Sequence, residues 1–101
     1  MRMSADSDPA AAAGAIARGL RESGGVDVLV IGPRAVNQTV KAIAVARGYV
    51  ASNGVDAYFV PSFSTIRVAE TSEERTAIRF SVRTRHGAFT GTVPGESGES
   101  A

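Results

Sequence analysis

The sequence predicts an α/β chain of the α+β kind, a two-layer sandwich with elements in the order β-α-β-α-β-β. Three observations carry that reading. Two segments, residues 9–23 and 33–50, repeat their apolar side chains at helical spacing. Between them Val26 to Ile31 is a short β-branched run, nearly apolar on both faces, of the kind that makes a buried strand. Near the far end, Thr76 to Thr84 alternates with a period of two, the pattern of a strand with one covered face.

Each element has its own local cause. Met1 to Ser4 is expected as a very short edge strand. Asp8-Pro9 then starts a helix, with Asp8 as N-cap and Pro9 at the first helical position, where a missing N–H costs nothing. Ala13, Ile16, Ala17 and Leu20 form its apolar stripe, and Gly24-Gly25 stops it, because glycine takes the left-handed conformation without penalty. Gly32-Pro33 turns the central strand into the second helix. Val36, Val40, Ile43 and Val50 are expected on its inward face with Ala44 and Ala46 beside them, and Arg47 is expected to snorkel from that stripe. Ala42, Val45 and Tyr49 are expected to form a second apolar patch on the opposite side, suited to contact with another copy of the chain.

Ser52-Asn53-Gly54 is a turn signal. Val55 to Pro61 reads as a strand that Phe63 to Val68 extends or restarts, and the polar Glu70 to Glu74 reads as a hairpin tip. The crossovers predict parallel pairing of the first three strands, closed by an antiparallel hairpin. Both helices are expected on one sheet face. The other face, with Arg79, Arg83 and Arg85, is expected to meet solvent or a partner.

A chain of 101 residues builds a single core. Residues 1–86 are expected to be the domain. Gly87 to Ala101, with its Gly-Glu-Ser-Gly-Glu-Ser run, has the composition of a disordered tail. No run has membrane-spanning length, and no basic stretch leads into an apolar one as in a secretory signal, so the expected location is cytoplasmic. The absence of cysteine excludes disulfides, thiolate metal sites and cysteine nucleophiles.

Catalysis finds no support in the pattern. His86 is the only histidine, no acidic residue is spaced to orient it, and no nucleophile elbow or paired-carboxylate motif occurs. The expectation is a non-enzyme without metal or cofactor. Within residues 1–86, eleven Lys and Arg face eight Asp and Glu, a balance of +3 that is mildly basic. Ten of the eleven cations are arginine, whose planar fork suits phosphate.

The best candidate binding feature is the second helix start, Gly32 to Gln38. Its unpaired N–H groups and partial positive charge favour an anion, Arg34 adds a cation, and Asn37 and Gln38 can donate and accept. Neither a Walker nor a dinucleotide glycine motif is present. Arg79, Arg83 and Arg85 alternate along one strand with a same-face spacing of about 7 Å, suited to a phosphate backbone.

Residues 35–50, Ala-Val-Asn-Gln-Thr-Val-Lys-Ala-Ile-Ala-Val-Ala-Arg-Gly-Tyr-Val, closely resemble the bacterial stage V sporulation protein S family. Glu73-Glu74-Arg75-Thr76-Ala77-Ile78 resembles a second block of it, and the likeness runs over about residues 3–85. That family is similar in turn to the Alba superfamily of small nucleic-acid-binding proteins, which shares the arrangement of the C-terminal domain of translation initiation factor three. The resemblance implies a homodimeric or homotetrameric, sequence-tolerant binder of DNA or RNA acting in sporulation or cell development. By position it nominates Arg34, Asn37, Gln38 and Lys41, with Arg75 and Arg79 on the hairpin. Where Alba proteins carry lysines in the first loop, this chain has Asp6, Ser7 and Asp8, which implies weak binding. The competing expectation is an oligomeric protein–protein interaction module that does not touch nucleic acid. Anion or nucleotide sensing at the Gly32 helix start is a third.

Overall fold

A computed structural model describes residues 1–86, and the tail expected from Gly87 onward lies outside the described residues. The elements follow the expected order: β1 (Arg2–Met3), α1 (Pro9–Ser23), β2 (Gly25–Val30), α2 (Pro33–Ala51), β3 (Val55–Val68) and β4 (Glu73–His86). They form an α+β two-layer sandwich, consistent with an Alba-like arrangement, with both helices on one face of a four-stranded mixed sheet.

The strand order is β1-β2-β4-β3. β1 pairs parallel with β2, as expected. The third strand does not: β4 inserts between β2 and β3 and pairs antiparallel with both. β3 therefore runs in the same direction as β2 but at the sheet's outer edge. It also passes unbroken through Pro61, which an edge strand tolerates because one side of its ladder is unpaired.

The core lies between the layers. Val28, Val30, Phe80, Val82 and Ala57 supply the sheet side, and Ala13, Ile16, Ala17 and Leu20 supply α1. Phe59 packs edge-on against Phe80 with ring centroids 5.0 Å apart. The inward face of α2 differs from the expected stripe. Ala35, Thr39, Ala42, Ile43, Ala46 and Val50 are buried, while Val40 and Ala44 are exposed. Ala42 accordingly belongs to the chain's own core and not to the opposite side, whereas Val45 and Tyr49 are exposed. The reason is the neighbouring helix: α1 presents Ala13 and Ala17, and alanines on both helices let the two backbones approach closely. Thr39 fits this core because its hydroxyl donates to the Ala35 carbonyl at 2.8 Å.

Gly19 is fixed by the packing of α1 on β2. A Cβ there would run into Cγ2 of Val26, a β-branched side chain with little freedom to withdraw. Gly14, on the same helix, has room for a methyl group, with nothing within 4 Å of where its carbon would sit. Gly19→Ala is therefore expected to lower stability by about 1–2 kcal/mol despite alanine's better helix propensity. Gly14→Ala should raise it by about 0.5–1 kcal/mol. Urea unfolding of the two variants checks this; equal shifts would contradict the contact.

Candidate nucleic-acid interface

The topology gathers several features at one end of the molecule. Because β1 and β2 are parallel, α1 and α2 both start at that end. β4 meets β2 only from Ile78 to Arg83, so β3 and β4 continue past the sheet as a two-stranded arm, Ser64–Val68 against Glu73–Ala77. The arm projects from the end where the helices begin.

At the start of α2, Gly32 is the N-cap with φ 92°, a conformation that glycine adopts without strain. No side chain caps it, and the first helical bond runs from the Val36 N–H to the Gly32 carbonyl. The backbone N–H groups of Arg34 and Ala35 are thus left at the positive end of the helix dipole. Arg34, Asn37 and Lys41 are exposed and share one helical face. Gln38 is different: it is half-buried and donates from Nε2 to the Ser7 carbonyl at 3.4 Å, tying α2 to the loop before α1. That loop is closed by the Ser4 N–H donating to Ser7 Oγ at 2.9 Å. Asp8 accepts from the Ala10 N–H at 3.1 Å, so one of the loop's acids is engaged as the cap of α1.

The uncovered sheet face carries the arginines of β4, but in company. Asp27 lies 3.7 Å from Arg79 and 3.0 Å from Arg83. Asp56, only 4% exposed, is shared by Arg47 of α2 and Arg85, the latter at 3.7 Å. Arg85 also lies over the Tyr58 ring, 4.9 Å from its centroid. On the arm, Arg67 pairs with Glu74 at 2.9 Å. Among the described residues, Arg34, Lys41 and Arg75 have no acidic partner, whereas Arg79 does. Arg2, which the sequence pattern did not nominate, has none either, and it faces the same open side as Arg79 across Leu29. Its signal is the alternation with buried Met3.

The hydrogen bond from Arg47 holds the Asp56 carboxyl below the usual carboxylate range. Burial opposes this, and the Ala57 N–H and the charges of Arg47 and Arg85 reinforce it. Arg47 is correspondingly held above its usual value, first by the hydrogen bond to Asp56 and then by its charge.

Among the described residues no group of three or more His, Asp or Glu side chains converges to hold a metal ion, and no helix is long and apolar enough to cross a membrane. Fold and surface together define a small α+β sandwich with one helix-covered sheet face and one open face, the latter carrying Arg79, Arg83 and Arg85 paired with Asp27 and Asp56. The chain belongs to the stage V sporulation protein S (SpoVS) family, whose model matches residues 1–85. Membership gives it a sporulation-related role.

Asp56 makes stability pH-dependent with a definite sign. A carboxyl depressed in the fold contributes stability that is complete above its unfolded value of about 4 and is lost as pH falls through the lower folded value. Asp56→Asn should cost about 1–3 kcal/mol at neutral pH, less than for a fully buried pair because both arginines are more than half exposed. Thermal melts from about pH 6 down to about pH 3 should show the wild type and the variant converging; parallel curves would contradict the assignment.

Proposed function

We propose that this protein is a nonenzymatic nucleic-acid-binding regulator of sporulation or cell development, cytoplasmic and able to associate with the nucleoid. The observation that carries the reading is that Arg34 and Lys41 on α2 and Arg75 on the arm are exposed and have no acidic partner among the described residues. Arg34 and Lys41 supply charge, the N–H groups of Arg34 and Ala35 supply donors to a phosphate, and Asn37 supplies an adaptable amide. Arg75 extends the contact along the arm, and Arg79 adds a cation tethered to Asp27. Gln38 holds the loop in place beside them. Few phosphates are neutralised and Asp6 stands nearby, so binding is micromolar or weaker and tolerant of sequence. Homodimerisation or homotetramerisation multiplies this weak contact by presenting the same end more than once.

A second reading, an oligomeric protein-interaction module that never meets nucleic acid, is favoured by the exposed apolar groups. Val45 and Tyr49 on α2 are 41% and 45% exposed, and Phe63 at the root of the arm is 81% exposed.

One titration separates the two. Fluorescence anisotropy with a labelled duplex at about 50 mM and about 200 mM salt should show binding that weakens steeply with salt. Arg34→Ala with Lys41→Ala should reduce the slope of log K against log salt by about 2 and weaken low-salt binding roughly tenfold or more. Absence of binding at low salt would favour the protein-interaction module. Binding untouched by the double substitution would remove the α2 start as the site.

A further inference from the structure

We infer that the uncovered sheet face is a stacking platform for single-stranded nucleic acid, with Tyr58 and Arg85 receiving a base and the flanking arginines receiving the backbone. This rests on the nucleic-acid reading above and narrows it to single strands.

The first support is an aromatic ring where the fold gives it no core role. Tyr58 lies in the exposed row of β3, register-paired with Arg83, and the helices pack on the other side of the sheet. The residue is 36% exposed, and the Arg85 guanidinium lies over its ring at 4.9 Å. A ring and a guanidinium already stacked present a planar surface to which a base can add, since bases stack on both aromatic rings and arginine planes. A duplex keeps its base faces covered, so such a surface rewards only unpaired bases.

The second support is the charge arrangement. Three guanidiniums of the open face, Arg79, Arg83 and Arg85, with Arg47 reaching the sheet edge from α2, share two carboxylates, Asp27 and Asp56. Half of the positive charge is therefore uncompensated. The carboxylates also restrain the arginines, so less side-chain freedom is lost when a phosphate arrives. Arg83 is further fixed by donating to the Val82 and Val26 carbonyls at 2.8 and 3.4 Å.

The third support is room beside the stack. A groove of about 380 Å³ runs between α2 and the β3 edge, lined by apolar Val40, Ile43 and Phe59 and by Tyr58, with Arg47 and Arg85 sharing the Asp56 carboxylate beside them, a net positive charge. A nucleotide next to the stacked base meets an apolar lining and a net positive charge there, a combination suited to a base and its phosphate.

The test compares a fluorescein-labelled oligothymidine of about 16 nucleotides with a labelled blunt-ended duplex of about 16 base pairs, at low salt, on the full chain. The wild type should bind the single strand more tightly. Tyr58→Ala should weaken single-strand binding about tenfold while leaving duplex affinity unchanged, and Tyr58→Phe should keep the single-strand affinity within about twofold. The duplex arm also reports that the variants are folded. Tyr58→Ala binding oligothymidine like the wild type, or losing both forms equally, would overturn the platform. Duplex binding that exceeds single-strand binding and still responds to Arg34→Ala would overturn the platform and leave the broader reading standing. No binding of either form would overturn both.

Discussion

The two backbone ladders of β4, one to β2 and the other to β3, set the positions of the charged side chains on the open sheet face. They bring Arg79, Arg83 and Arg85 to the middle of the open sheet face. They also bring Asp27 from one neighbour and Asp56 from the other within reach of those arginines. Since β2 ends opposite Ile78, the remainder of the β3–β4 hairpin has no third strand to pair with and extends as an arm. Two helices are enough to cover one face of this sheet, and the other face is left to solvent. An all-parallel sheet needs both faces covered; a mixed sheet with an antiparallel centre does not. The open arginine face is thus a consequence of where β4 inserts.

Carboxylates on that face have a double effect. They lower the net charge of the face, which under the proposed function weakens its attraction for a phosphate backbone, and they hold the guanidiniums across the sheet, which orders them in advance. The α2 start works in the opposite manner: Arg34 and Lys41 are long, exposed and untethered, so their attraction is more readily screened by salt. The molecule carries a tethered, partly neutralised surface and an untethered one.

Much of this is legible in the residues. Asp8-Pro9 and Gly24 bound α1 as their chemistry requires, with Asp8 accepting from the Ala10 N–H and Gly24 at φ 78°. The period-two run in β4 puts its arginines on the open face. The inward face of α2 departs from the stripe its periodicity suggests, because that pattern favours the larger side chains as the buried ones. Close approach of α1 selects Ala35, Ala42 and Ala46 instead and turns Val40 outward. The position of β3 also departs from expectation, since a crossover helix favours a parallel neighbour and nothing in one strand's sequence names its partner. Pro61 is the available signal, because proline inside a strand marks an edge. The pairing of the arginines is hidden for the same reason: Asp27 and Asp56 lie far from β4 in sequence, and only the register brings them together. Of the residues nominated for binding, Arg34, Asn37, Lys41 and Arg75 lie exposed as a contact requires, Gln38 serves as a strut, and Arg79 is held by Asp27.

Contact of nucleic acid with the start of α2 and the open sheet face would be seen most directly by amide chemical-shift mapping. The isotope-labelled full chain would be titrated with oligothymidine at low salt. Perturbations are expected to concentrate at Gly32 to Lys41 and at the β3 and β4 amides around Tyr58 and Arg83. Perturbations confined to the outer face of α1 around Arg18 and Glu22, or none at all, would contradict both contacts.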